Sequence, residues 1–181
     1  MKLSSRARYA LRSMIQIGRL SNNGAPVSLA DISKKTSISR RYLEQLAISL
    51  KNSQLLRGIS GKGGGYVLAR PPEDIKIGDI IEAAIGPINI VDCVKQPETC
   101  LKTDVCECRL VYVLINNRIT EVLNEFSLAD LMDKGYLEKL SREIMESEIG
   151  LPDGPADQKR VKGRVCSPCT TMWDGGDRNH S

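Results

Sequence analysis

Cysteine is the residue type in this chain most able to do chemistry. Cys93, Cys100, Cys106 and Cys108 fall close together, and Cys166-Ser167-Pro168-Cys169 forms a second, smaller group near the end. Thiolates are soft ligands suited to iron–sulfur clusters and to zinc, and neighbouring thiols can also form a reversible disulfide. Spacing alone leaves a cluster, a zinc site, a thiol switch and inert cysteines open, and without a cluster the control would fall to thiol oxidation, zinc or a protein partner. The polar stretch with Lys95 and Pro97 keeps the loop out of regular structure, so it can wrap a centre. No thioredoxin-like strand precedes the tail pair, which is expected to be inert or redox-active and not part of a redox enzyme. Other catalytic signatures are lacking. His180 is the one histidine, and the chain shows no Ser/His/Asp set, no paired-carboxylate motif and no dinucleotide fingerprint. It reads as a non-enzyme.

The second chemical signal is charge. The chain has 181 residues and a net charge of +4. Residues 1–70 hold 13 Lys and Arg against two acids, Asp31 and Glu44, a local charge of +11 that leaves −7 for the remainder. A basic head on an acidic remainder suggests a polyanionic partner. Aromatic residues make up only 4 % of the chain, which argues against a stacking platform for single-stranded nucleic acid. No apolar run approaches the roughly 20 residues of a membrane span. The charged opening lacks the apolar core of a signal peptide, so a cytoplasmic protein is expected.

The basic residues need elements to position them. Ala7, Ala10, Leu11, Met14, Ile17 and Gly18 recur at helical spacing and predict a first helix over 5–20. Ser28-Leu29-Ala30-Asp31 reads as a capping box before a short helix over 31–35. Ser39 is a candidate N-cap for a third helix over 40–52 that buries Leu43, Leu46, Ala47 and Leu50. Residues 55–60 and 65–69 look like two short strands joined by Gly61-Lys62-Gly63-Gly64, a β-hairpin ended by Pro71-Pro72. A short helix over 77–85 stops at Gly86-Pro87. The cysteine loop, 88–108, leads to a long helix over 109–126, where Tyr112, Ile115, Ile119, Val122 and Phe126 form a heptad-like seam. Ser127-Leu128-Ala129-Asp130 is a second capping box opening a short last helix, and disorder is expected beyond about residue 148.

The expected fold is mainly α with a small β-hairpin wing, a winged helix-turn-helix followed by a long dimerisation helix. The expected regions are 1–72 for DNA binding, 73–132 for a sensor loop and dimerisation helices, and 133–181 for a largely disordered C-terminal extension. A third helix with a polar face can enter a major groove about 12 Å wide. The DNA-facing set is Ser39, Arg40, Arg41, Tyr42, Glu44 and Gln45 around that helix, Lys62, Gly63 and Gly64 at the hairpin tip, and Arg6. Arg40, Arg41 and Gln45 can donate to base edges or phosphates. Glu44 can accept from a cytosine amino group but repels phosphate, and so would discriminate. The glycine-rich tip lacks the Lys-Ser/Thr ending of a nucleotide-binding loop. It can instead approach a backbone or minor groove, with Lys62 supplying charge.

These motifs carry a resemblance. The opening Met1-Lys2-Leu3-Ser4-Ser5-Arg6-Ala7-Arg8-Tyr9-Ala10-Leu11-Arg12, then Leu29-Ala30-Asp31-Ile32-Ser33, Tyr42-Leu43-Glu44-Gln45-Leu46 and Gly61-Lys62-Gly63-Gly64-Gly65-Tyr66 stand in the order of the hallmarks of the Rrf2-type winged-helix transcription regulators. Over about residues 1–132 the chain resembles this family, which includes IscR-like and NsrR-like iron–sulfur sensors. The resemblance implies a homodimer built on the long helix, binding double-stranded DNA at palindromic operators as a repressor or activator. It also implies an iron–sulfur cluster, 2Fe-2S or 4Fe-4S, held by Cys93, Cys100 and Cys106. Two positions depart from the pattern. Arg109 stands where one branch has a histidine ligand, and Arg8 stands where the other has an acid from the partner's first helix. Cys108 is the nearest substitute for a fourth ligand, with Asp104 and Glu107 also close in sequence.

Overall fold

Serine hydroxyls start the helices of the basic head. In the computed structural model, which describes residues 3–21, 24–102 and 105–146, the Ser4 Oγ accepts from the Ala7 amide at 3.2 Å and opens α1, Ser5–Leu20. Ser28 accepts from the Asp31 amide at 3.1 Å at the start of α2, Leu29–Thr36. Ser39 accepts from the Tyr42 amide at 3.4 Å at the start of α3, Arg40–Asn52. Each hydroxyl satisfies an amide that the first helical turn leaves without an intrahelical partner. α2 is longer than the expected 31–35 because its cap sits at Ser28. It ends where Thr36 Oγ1 bonds the Ile32 carbonyl and Ser37 turns left-handed at φ 56°.

The wing is an antiparallel hairpin, β1 Leu56–Ile59 and β2 Gly65–Leu68, with Leu56 opposite Leu68 and Ile59 opposite Gly65. Its turn needs glycine, since Gly61 and Gly63 have φ of 106° and 80°. Gly65 is required for a different reason. A Cβ there would strike the Val27 backbone, because Val27 and Tyr66 exchange two amide hydrogen bonds of 2.9 Å. Val27 thus fastens the wing to the segment before α2, a pairing with no signature in the sequence.

After the wing come α4, Ile77–Ile85, and α5, Glu107–Glu125. The short α6, Leu128–Met132, is opened by a complete capping box between Ser127 and Asp130, and α7, Lys134–Glu146, comes after it. One core joins the head to α4 and α6. Met14 and Ile17 of α1, Ile32 of α2, Leu43 and Leu46 of α3, Ile80 and Ile81 of α4 and Leu128 of α6 are all essentially inaccessible. Each such side chain contributes roughly 1.5–3 kcal/mol of burial.

The chain divides into two units, Met1–Leu140 and Ser141–Ser181; of the second, only 141–146 is described, as part of α7. α7 corrects the sequence reading, which expected α6 to be the last helix and 133–181 to be largely disordered; an apolar face at helical spacing over Tyr136, Leu137, Leu140 and Ile144 supports the added helix. The tail expected to be disordered, Cys166, Cys169, His180 and Asp104 lie outside the described residues. No helix among the described residues is long and apolar enough to cross a membrane.

Candidate nucleic-acid interface and cysteine loop

α3 buries Leu43, Leu46, Ala47 and Leu50 and leaves Arg40, Arg41, Glu44, Gln45 and Ile48 exposed. Helical spacing produces this division, because residues three and four apart share a face. Ser39 is exposed at the N-cap. Arg40 and Glu44, both expected to meet DNA, pair with each other at 3.2 Å on an exposed surface. That pair is weak and can open when phosphate competes for Arg40. Tyr42 is half-buried, its ring set edge-on to Tyr9 with centroids 5.6 Å apart. It helps fix α3 against α1. Lys62 and Gly63 are exposed at the wing tip, and Gly64 is half-buried there, its amide bonded to the Gly61 carbonyl at 3.0 Å.

Arg6 is placed differently from the rest of this set. Its Nε donates to the Ala84 carbonyl at 2.6 Å and its Nη2 to the Ser49 hydroxyl at 2.8 Å. The guanidinium lies among α1, α3 and α4, and two of its donor groups are engaged within the protein. The sequence could not indicate this, because both partners are distant along the chain.

The cysteine loop has an anchored half and an outlying half. Glu82 Oε1 accepts from the Ile88 amide and from Lys95 Nζ, each at 3.3 Å. Asn116, buried within α5, accepts from the Ile90 amide at 3.2 Å. Arg109 Nε donates to the Cys93 carbonyl at 3.2 Å. Residues 88–95 are therefore tied to α4 and α5, with Cys93 in a half-buried 3-10 turn. Cys100 is exposed beyond a second 3-10 turn, Pro97–Thr99. Cys106 is half-buried and takes the N-cap position of α5. This starts the helix two residues earlier than the sequence suggested and leaves Cys108 exposed inside its first turn. Helical residues two apart do not face each other, and Cys108 therefore does not continue the face of its neighbour.

The donor set suits a thiophilic centre. Among the described residues, however, no three His, Cys, Asp or Glu side chains converge on a metal-sized point. Ligation of a single centre requires the loop to close further around it.

The expected seam on α5 divides in two. Ile119 and Phe126 pack against the core, whereas Ile115 and Val122 are 42 % and 50 % exposed. With Val111 and Leu114, also exposed, they form an apolar stripe at helical spacing, interrupted by Arg118.

A three-helix head, a two-stranded wing and a basic exposed third helix define a winged-helix DNA-binding protein of the transcription-regulator type. Residues 3–134 match the Rrf2 family, described as iron-dependent transcriptional regulators, and the chain belongs to that family. It is 34 % identical to the HTH-type transcriptional regulator IscR of Sodalis glossinidius over 155 residues, covering 85 % of this chain and 93 % of that protein. It is 37 % identical to the regulator CymR of Bacillus subtilis over 131 residues, covering 72 % of this chain and 89 % of the relative. Among solved structures, CymR, the global cysteine regulator of B. subtilis, superposes with a TM-score of 0.59 at 34 % identity, over 73 % of this chain and 96 % of that one. IscR of T. potens gives 0.56 at 30 % identity, over 79 % and 90 %.

Proposed function

We propose that this chain is a homodimeric transcription repressor whose cysteine loop senses redox or iron–sulfur status, or nitric oxide, through an iron–sulfur cluster. Cys93, Cys100 and Cys106 would hold the cluster, with Cys108 the candidate fourth ligand. When bound, it would supply a thiolate-ligated redox centre that oxidants or nitric oxide can alter. The observation that carries the proposal is the attachment of the cysteine loop to two helices at once. Arg109 and Asn116 bind it to α5, whose apolar stripe suits a second copy of the chain, and Glu82 binds it to α4, which packs on the head. Two copies related by a two-fold axis would present two α3 helices to a palindromic operator. Arg40, Arg41, Glu44 and Gln45 would read or position in the major groove, with Lys62, Gly63 and Gly64 at the backbone or minor groove.

A second reading is control by thiol oxidation without a cluster. It is favoured by the exposure of Cys100 and Cys108 and by the separation of the donors. Anaerobic purification followed by iron and sulfide analysis and visible spectroscopy discriminates the two. A coloured protein with stoichiometric iron and sulfide supports the cluster. A colourless protein whose DNA affinity still responds to oxidant supports the thiol switch. A colourless protein insensitive to both removes the sensor role.

A further inference from the structure

Arg6 lies in the first turn of α1, at the start of the basic head, and is grouped by the sequence with the DNA-facing residues. Its bonds point elsewhere. The Ala84 carbonyl, 2.6 Å from Nε, belongs to the last turn of α4, one of the carbonyls that a helix end leaves without an intrahelical donor. A guanidinium there also meets the negative end of the helix dipole. Its other prong reaches Ser49 at 2.8 Å, one helical turn beyond Gln45 on α3. Arg6 thus grips the reading helix and the end of α4 together.

The same last turn of α4 holds the cysteine loop. Glu82, two residues before Ala84, accepts from Ile88 and Lys95, and Lys95 stands two residues after Cys93. Polar contacts of the loop on Glu82 and of Arg6 on Ala84 and Ser49 are therefore joined through the backbone of the last turn of α4. Two further bonds of the loop, from Arg109 and to Asn116, end on α5.

We infer that Arg6 is a positioning residue that couples the cysteine loop to the reading helix, with the last turn of α4 as the shared support. A change in the loop that moves Glu82 moves the Ala84 carbonyl with it, and the two-pronged guanidinium carries that shift to α3. Lysine cannot replace it, because a single ammonium on a flexible stem lacks the fixed fork. This coupling rests on the regulatory role proposed for the loop, but its test requires no bound cluster.

The test is a double-mutant cycle in the full-length protein, using a duplex selected by the wild-type chain from a randomised-sequence pool. Glu82→Ala releases the loop from α4 and is expected to change affinity by roughly two- to thirtyfold, the range for substitutions along a coupled network. In an Arg6→Ala background the same substitution is expected to change affinity by under about twofold. Arg6→Ala should leave the salt slope of binding unchanged, whereas a lost phosphate contact would flatten it by about one unit. Arg6→Lys should behave as Arg6→Ala does. Ser49→Ala removes one prong only and repeats the cycle if Arg6→Ala fails to fold. Additive effects of Glu82 and Arg6, or a flattened slope, would overturn the coupling. Iron, sulfide and oxidant response, measured separately, bear on the sensor role, so the two ideas can fail independently.

Discussion

Arg109 donates from Nε to the carbonyl oxygen of Cys93 at 3.2 Å, joining the first turn of α5 to a cysteine sixteen residues earlier. The bond holds the Cys93 turn onto the helix for which Cys106 is the N-cap residue. Arg109→Ala should release that turn. With a loss of about 1 kcal/mol for a half-exposed charged hydrogen bond, alkylation of Cys93 should accelerate roughly fivefold. Peptide mass spectrometry reads this against Cys100, which is already exposed and should not change. Equal rates at Cys93 in parent and variant would show that the bond does not order the turn.

Dimerisation should be separable from folding. Ile115 and Val122 are exposed on α5, whereas Ile119 packs on the core. Ile115→Lys combined with Val122→Lys is expected to yield a folded monomer with weakened operator binding, its stability within about 1 kcal/mol of the parent monomer. Ile119→Lys should instead lower stability by on the order of 1–3 kcal/mol. Sedimentation and thermal melts distinguish them, and a charged stripe that stays dimeric would move the interface elsewhere.

DNA contacts should divide by element. Arg41 and Gln45 are exposed on α3, and replacing either with Ala should cost about 1–3 kcal/mol for the cognate site while relaxing base preference. Lys62→Ala should weaken binding to all sequences and reduce the salt slope by about one unit. A shift in base preference from Lys62→Ala but not from Arg41→Ala would reverse these roles.

The capping box of α6 should give an acid-sensitive contribution to stability. The Ser127 amide and hydroxyl each donate to Asp130 Oδ2 at 2.7 Å. The backbone bond first, then the side-chain bond, holds the Asp130 carboxyl below its ordinary 3.8, with the charge of Lys76 assisting. A folded-state value below the unfolded one means the contribution is full above about pH 4 and is lost as pH falls through the lowered value. Asp130→Asn should remove that part of the acid dependence, and Ser127→Ala should cost about 1 kcal/mol near neutral pH. Denaturant melts between pH 2 and pH 6, with on the order of 0.3 kcal/mol resolution, check both. An unchanged acid limb in Asp130→Asn would exclude this carboxylate as its source.

Cys108 is tested by anaerobic reconstitution with iron and sulfide. Single Cys→Ser changes at Cys93, Cys100 and Cys106 should abolish the visible chromophore, and Cys108→Ser should alter it. Retention of the parent spectrum, iron content and DNA response in Cys108→Ser would remove Cys108 from the coordination sphere.

The secondary structure of the head was legible because its signals are local. Ser28 and Ser39 each cap the next helix, Gly61 and Gly63 permit the wing turn, and the apolar period of α3 separates its buried and exposed faces. The charge asymmetry and the cysteine spacing could likewise be read directly along the chain. Tertiary structure decided how side chains with several possible partners were used. Along the sequence Arg6 is grouped with the DNA-facing residues, and only the fold brings Ala84 and Ser49, 78 and 43 residues away, to its guanidinium. The α5 seam reads as one stripe until packing takes Ile119 and leaves Ile115 outside. Cys108 reads as a neighbour of Cys106 until the helix begins between them. Helical period and capping depend on residues a few positions apart, and sequence alone determines them. The partner of a long charged side chain, and which edge of an apolar stripe is buried, depend on contacts across the fold that come into being only when the core closes.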